Sequence, residues 1–394
     1  MRGLENFLFY TLLLAFISSF FSISVYEGFL ALAVISGIAL LFLKRLNPLR
    51  GLFSIPLAGH LTTITVSSFL FLRVKEQFRR LLEQDFFSLS YFAALGLGKE
   101  KKLQLTDWLI KISPLLGILL SAKVLYTYHV SGDIKGFWGG NFVIGNLLAL
   151  PFFATVYLFL KTENLFLKIL LPAFGGLFLY TAFLPVERSV ILGFLAGFTV
   201  FGVALFRLYS PKRLIPIFAI PLIGGIFVLS QSPKVEAWIN LLNADHPVEQ
   251  KINNLSSQRL EIAKGALQLV EKAIEERDYT RLLIGWGYGP QKQYRNLPPH
   301  LQFINEYESF VFLTEFINGG LLNVIFLLWF YGALIYLTWR VLKHKDNLFL
   351  ERVTLLSAVW VNMVYHLFTL FWVPINGIFY ILLAVIERLT EKRR

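Results

Sequence analysis

The stretch LFLKILLPAFGGLFLYTAFLPVERSVILGFLAGFTVFGVALF, residues 165 to 206, decides the fold. It holds two long apolar runs, Leu165 to Pro185 and Ser189 to Phe206, with only Val186, Glu187 and Arg188 between them. A helix needs about 20 apolar residues to cross the hydrocarbon core of a bilayer. The stretch therefore predicts two membrane-spanning helices joined by a very short turn.

Runs of the same kind recur along the chain. Of its 394 residues, 56% are hydrophobic and 16% charged, whereas soluble domains have about 25% charged residues. We therefore predict an all-α, polytopic transmembrane helical bundle of about twelve spans. The other predicted spans are Phe7 to Ser24, Gly28 to Leu43, Gly51 to Leu72, Phe86 to Leu97, Pro114 to His129, Phe137 to Leu160, Leu214 to Leu229, Phe310 to Trp339, Val353 to Trp372 and Pro374 to Ile386.

Loop charges give the orientation and the domain division. Basic residues in short loops resist translocation, and with the N-terminus in the cytoplasm the short inner loops are rich in Lys and Arg. We expect an N-terminal bundle of about nine helices over residues 1–230. A partly helical outer loop, on the periplasmic side of a bacterial inner membrane, follows over 231–308, and about three further helices over 309–394.

Composition also narrows the chemistry. The chain has no cysteine, which excludes disulfides, thiolate catalysis and cysteine-based metal sites. Its net charge of +12 comes from residues scattered at the ends of apolar runs, so membrane topology explains it better than nucleic-acid binding. No histidine and carboxylate pair has metal-ligand spacing. We expect neither a metal nor another cofactor.

Two arginines are candidates for anion binding on the outer side. Arg188 lies in the short turn close to lipid, where a charge usually has a partner or a ligand. Alternatively it snorkels to the interface or pairs with Glu187. Arg259 stands in the first turn of a predicted loop helix, where a bound phosphate would offset the unfavourable helix dipole. A solvated Arg259 paired with Glu261 or Asp278 is the alternative.

Further candidates follow the loop helix. Glycines alternate with aromatics in Gly285-Trp286-Gly287-Tyr288-Gly289. Trp286 and Tyr288 can stack on sugar faces, although on the local sequence alone a structural turn is the preferred explanation. Glu306, Tyr307 and Glu308 precede the next span. A partly desolvated Glu308 can act as a general base; both glutamates can instead be hydrated interface residues or partners of the arginines.

Together these features resemble the O-antigen ligase and O-antigen polymerase superfamily. Ser256-Ser257-Gln258-Arg259 before an amphipathic helix, and then the glycine run, are similar to the arginine, helix and glycine-turn series of that family. Arg188-Ser189 is similar to its other arginine. Glu308-Ser309, nine residues and Gly319 fit the frame of the ligase motif, but a glutamate replaces its histidine.

The resemblance implies that Arg188 and Arg259 hold the diphosphate of an undecaprenyl-diphosphate-linked glycan while Glu308 activates an acceptor hydroxyl. Because glutamate cannot become a cation, any charge stabilisation by a histidinium would pass to the arginines or to Lys292 or Arg295. His300 is also near in sequence. Trp286, Tyr288 and Tyr307 are assigned to sugar positioning. Lys292, Arg295, His300 and Glu306 are further candidates for substrate binding.

The function expected from the resemblance is an inverting, metal-independent glycosyltransferase. Transfer to lipid A core, in lipopolysaccharide assembly, is preferred over polymerisation of the lipid-linked glycan because of the ligase-like frame. Transfer to a protein hydroxyl differs only in the acceptor. A transporter or flippase is the alternative from another class, but such proteins usually carry paired broken helices in matching halves, and the sequence shows no such pairing.

Overall fold

The structure is a computed structural model that describes residues 1–71, 86–138, 140–210, 230, 233–243, 247–255, 259–287, 310–368 and 375–391. The first eight helices are α1 (Arg2–Ser18), α2 (Ile23–Leu43), α3 (Ser54–Phe71), α4 (Leu89–Leu95), α5 (Lys99–Ser131), α6 (Asn141–Lys161), α7 (Leu165–Phe183) and α8 (Arg188–Phe206). The others are α9 (Pro233–Asn243), α10 (Val248–Leu255), α11 (Arg259–Glu275), α12 (Tyr279–Ile284), α13 (Val311–Lys343), α14 (Phe349–His366) and α15 (Asn376–Thr390). Short 3₁₀ turns precede α3 and α4. Within the described ranges no strand occurs.

The predicted all-helical architecture is confirmed for the described residues. Seven described helices, α2, α3, α5 to α8 and α13, are long and apolar enough to cross a membrane. The figure of about twelve spans is not confirmed by the described residues and stays a prediction. The predicted span Phe86 to Leu97 is a 3₁₀ turn followed by a seven-residue helix, too short for a bilayer. The predicted span Leu214 to Leu229 lies outside the described residues.

Two of the remaining apolar helices fill the centre of the bundle. Every residue of α15 except Arg388 is buried, and α14 packs against α6, α8 and α15. Small residues allow the closest approach: a Cβ at Gly193 of α8 would lie 2.4 Å from Val361 O of α14. Helices in membranes commonly associate through such glycine contacts. This packing fixes the start of α8 relative to the end of α14.

The basic residues of the predicted inner loops gather at one end of the bundle. Lys44 Nζ donates to Gly96 O at 3.1 Å, and Lys345 Nζ donates to Arg207 O at 2.6 Å. The buried Arg352 of α14 donates to Leu389 O at 2.9 Å. These contacts join the loops after α2, α4, α8 and α13 with the end of α15. The positive end predicted from loop charges is therefore a structural unit, hereafter the basic end.

Helix α13 is broken near its start. Gly320 has φ 66° and ψ −165°, so the element consists of a short arm and a long helix that meet at a kink. This backbone region is accessible essentially to glycine alone. The break exposes backbone carbonyls deep within an apolar bundle, where each needs a hydrogen-bond partner. Those partners come from the segment after α12.

Candidate anion site at the starts of α8 and α11

Arg188 is the first residue of α8 and follows a strained turn. Val186 in that turn has φ 52°, a left-handed conformation that is rare for a β-branched residue. Loop helix α9 docks on the turn: Lys234 Nζ donates to Pro185 O at 2.7 Å, and the guanidinium of Arg188 lies 4.7 Å from the ring centre of Trp238. The arginine is half-buried and held by this cation–π contact.

Arg259 is the first residue of α11 and reaches the same place from the loop side. Its Nη1 donates to the carbonyl of Phe368, just beyond the end of α14. The guanidinium is partly buried, and its positive charge acts on that of Arg188. The structure thus brings together the two arginines that the sequence analysis singled out separately, although α9 and α10 lie between them along the chain.

Four positive features converge at this point. Besides the two guanidinium groups, the N-termini of α8 and α11 each carry about half a unit of positive charge from the aligned peptide dipoles. Glu187 offsets part of the field at Arg188. Like charges held in proximity destabilise one another, and an anion placed between them reverses the sign of that interaction. The arrangement is suited to a multiply charged anion such as a diphosphate.

The glycine run proves to be a backbone contact. Trp286 N donates to Ile317 O at 2.8 Å and Gly287 N donates to Asn318 O at 3.0 Å. These are the carbonyls that the break in α13 leaves without helical partners. Gly285, with φ 81° and ψ −168°, lies so close to Gly320 that a Cβ on either residue would meet the backbone of the other segment within 2.5 Å. The segment after α12 is thereby anchored to the kink.

Trp286 belongs to a small apolar cluster beneath α11. Its side chain is fully buried and packs with Ala266, Leu269, Ala273 and Ile317. The predicted amphipathic loop helix is present as α11, in which Leu267 and Ile274 are exposed while Ala266, Leu269 and Ala273 are buried. Stacking of Trp286 on a sugar would require this cluster to open; a role for it in positioning sugars stays a prediction.

Seven of the predicted site residues lie outside the described ranges: Tyr288, Lys292, Arg295, His300, Glu306, Tyr307 and Glu308. Their nearest described neighbour downstream is Phe310, followed by Val311 at the start of α13. Val311 N donates to Leu367 O at 3.0 Å, next to the carbonyl that accepts from Arg259. The described chain therefore resumes beside the arginine pair.

A second polar group lies within the bundle at the break in α13. Glu315 and His60 are fully buried, with His60 Nδ1 3.6 Å from Glu315 Oε2. Asn323 Nδ2 donates to the same carboxylate at 2.5 Å and to Glu315 O at 3.2 Å. Glu315, which the sequence analysis did not place in the site, thus holds the two arms of α13 together.

Several residues at the site were not identified from the sequence. Lys234, Trp238 and the carbonyl of Phe368 contact the arginine turn or Arg259, and the buried His366 lies two residues before Phe368, with its Nε2 3.2 Å from Asn362 Nδ2. The sequence feature that could have identified Trp238 is its position as a lone aromatic in a polar segment, one helical turn after Lys234. A main-chain acceptor such as Phe368 O leaves no trace in the sequence.

In the described part of the chain, no group of three or more His, Asp or Glu side chains could hold a metal ion.

No family model matches the chain. A protein of Aquifex aeolicus (strain VF5) described as an uncharacterized protein is 27% identical to it over 392 residues, which cover 96% of each chain. The chain is thus similar to that protein along almost its whole length.

Proposed function

We propose that the chain is a glycosyltransferase that moves a glycan from undecaprenyl diphosphate to a sugar hydroxyl at the periplasmic face of the bacterial inner membrane. The proposed reaction is of the ligase type, with lipid A core as acceptor. The observation that carries the proposal is the convergence of Arg188 and Arg259, each the first residue of a helix, with their positive charges acting on each other.

In the proposed reaction the acceptor oxygen attacks the anomeric carbon while the bond from that carbon to the diphosphate oxygen breaks. The diphosphate leaves with the bonding electrons, and the hydroxyl proton passes to Glu308. Arg188 and Arg259 stabilise the negative charge that develops on the leaving group. Attack opposite the departing diphosphate inverts the anomeric centre.

Glu308 is proposed as the base because of its position in the chain. It precedes Val311 by three residues, and three residues of extended chain span about 10 Å. Val311 is hydrogen-bonded to Leu367, next to the acceptor of Arg259. Buried His366 is a further titratable side chain close to this carbonyl in the sequence, so both residues belong in the mutational test.

Transport is the second function to test, because the break in α13 beside a buried glutamate is a feature that transporters use for substrate or ion sites. Here, however, the carbonyls freed by the break accept from Trp286 N and Gly287 N. In a transporter such carbonyls line an open cavity and bind the cargo. Their occupation by the outer loop favours a structural role for this break.

The decisive experiment uses the purified full chain in proteoliposomes with a polyprenyl-diphosphate glycan. One reaction contains lipid A core and the other contains only further donor. Product on the core supports the ligase, a lengthened donor supports the polymerase, and modified protein hydroxyls support protein glycosylation. Donor that crosses the bilayer without release of polyprenyl diphosphate would support a flippase and contradict the transferase proposal.

The arginines are tested with Arg188→Ala and Arg259→Ala. Loss of one charge-assisted contact to the leaving group should lower turnover about tenfold to hundredfold. Arg277→Gly is the matched control, since it removes a positive charge from an exposed position in the same loop. If Arg259→Ala turns over donor at the same rate as Arg277→Gly, the diphosphate site is elsewhere.

Glu308→Gln and His366→Gln separate the two candidate bases. We expect Glu308→Gln to abolish turnover while donor binding persists, and His366→Gln to retain turnover if it folds as the wild type does. The opposite pattern would move the base to α14. Donor binding, measured with a labelled polyprenyl diphosphate, distinguishes loss of chemistry from loss of the site.

A further inference from the structure

The basic end of the bundle contains a cavity of about 480 Å³. It lies between the end of α2, the segment from α4 to α5, and the end of α15. Of the described residues that line it, two are acidic, Glu387 and Glu391, and five are basic: Lys44, Arg45, Arg50, Lys102 and Arg388. The lining therefore contains more basic than acidic side chains.

Lys102 is the decisive residue, because its side chain is only 1% exposed. An ammonium group is rarely enclosed to this extent without a partner. Within the described residues it forms no ion pair or side-chain hydrogen bond, and the charges acting on it are those of Lys44, Glu387, Arg388 and Glu391. Lys102 lines the cavity without a direct partner among them.

The two carboxylates are already engaged. Glu387 Oε1 accepts from Leu52 N at 2.7 Å, and its Oε2 accepts from the hydroxyl of Tyr91 at 2.6 Å. Glu391 forms an ion pair with Arg388. Lys44 is likewise paired, with Glu5 at 3.2 Å. Three basic residues of the lining form no ion pair in the described part of the chain: the buried Lys102 and the exposed Arg45 and Arg50.

Apolar side chains complete the lining, among them Leu41, Leu46, Leu95 and Leu97. A cluster of cations beside an apolar wall, at the ends of membrane helices, matches a phosphate group attached to an acyl chain. The cations alone match free phosphate. We propose that this cavity binds the phosphate group of an anionic ligand, with Lys102, Arg45 and Arg50 as its cationic partners.

This site is separate from the arginine pair. Arg352 in the first turn of α14 contacts Leu389, beside Arg388, whereas His366 in the last turn precedes the carbonyl bound by Arg259. At 1.5 Å per residue these two positions on α14 are about 20 Å apart. The inference therefore does not depend on the proposed glycosyltransferase activity.

The test measures thermal unfolding of the full chain in a neutral detergent. Phosphatidylglycerol, phosphatidylcholine and inorganic phosphate are titrated separately at constant ionic strength. We expect a saturable rise in the unfolding midpoint with phosphatidylglycerol or with inorganic phosphate. A rise with the lipid alone assigns the ligand as a lipid headgroup, and a rise with inorganic phosphate assigns it as a free anion. A chain that responds to neither more than to phosphatidylcholine would overturn the proposal.

Lys102→Met locates the binding, with Lys111→Met as its matched control. Lys111 lies on the same helix, is 62% exposed and pairs with Asp107, away from the cavity. Lys102→Met should raise the half-saturating ligand concentration about tenfold or more, while Lys111→Met leaves it unchanged. Arg50→Gln, at an exposed position, provides the same comparison if Lys102→Met does not fold. Equal affinity in the cavity and control variants would overturn the assignment.

Discussion

Replacement of Gly320 by alanine tests how the segment after α12 is anchored to the break in α13. The backbone at Gly320, φ 66° and ψ −165°, costs a residue with a side chain about 1–3 kcal/mol. A Cβ there would also lie 2.3 Å from the carbonyl carbon of Leu283, so the two segments must separate. Separation breaks the bonds from Trp286 N and Gly287 N, each worth about 1 kcal/mol. We expect Gly320→Ala to lower the free energy of unfolding by about 3–5 kcal/mol in total.

Gly332→Ala is the matched control for this measurement. Gly332 lies in the same helix, and no atom of the described residues lies within 4 Å of its Cβ position, so alanine should stabilise the protein by about 1 kcal/mol. Unfolding by a denaturing detergent in mixed micelles, followed by tryptophan fluorescence, gives both values. Hydrogen exchange at Trp286 N and Gly287 N reports the local effect. Equal stability and equal protection in the two variants would refute the proposed anchor.

Three further substitutions have defined expectations. Arg277→Gly relieves an exposed left-handed residue with φ 56° and should raise stability by about 1 kcal/mol, visible as a higher unfolding midpoint. Gly193→Ala should lower the free energy of unfolding by about 1–3 kcal/mol because the new Cβ would meet Val361 O. Gly176→Ala is the control, since no atom of the described residues lies within 4 Å of its Cβ position. Equal unfolding midpoints of the two variants would contradict the packing of α8 on α14. Trp286→Ala should cost about 3–5 kcal/mol, as for a buried aromatic; a purely sugar-binding tryptophan would leave chemical stability unchanged.

Sequence patterns predict the spanning helices well where lipid is the neighbour. The runs Leu165 to Pro185 and Ser189 to Phe206 correspond to α7 and α8 within two residues at each end. Hydropathy alone is misleading for Phe86 to Leu97, because a short buried helix such as α4 has the same apolar composition as a helix that faces lipid. Burial by neighbouring helices is a property of tertiary packing, which local composition does not encode.

At the candidate site, too, local sequence predicts some features while tertiary packing decides others. Loop charges are sufficient to expect Arg188 and Arg259 on the same side, and the structure brings them together at one end. The contacts of Trp238 and Phe368 depend on how α9 and α14 pack, so the sequence offered no reason to select them. The sequence of the glycine run allows a structural turn, but the burial of Trp286 follows from the distant pairing of Gly285 with the break in α13.

The enclosed position of α15 has a consequence for biogenesis. Its residues are made after all the helices that surround it, α4, α5, α13 and α14. Until α15 enters, the lipid or insertion machinery beside those helices must occupy its place, because a vacant channel of that width cannot persist in a bilayer. The bundle can therefore reach its final packing only after synthesis of α15 is complete. Ribosome-bound chains that stop before Asn376 should remain open to proteases.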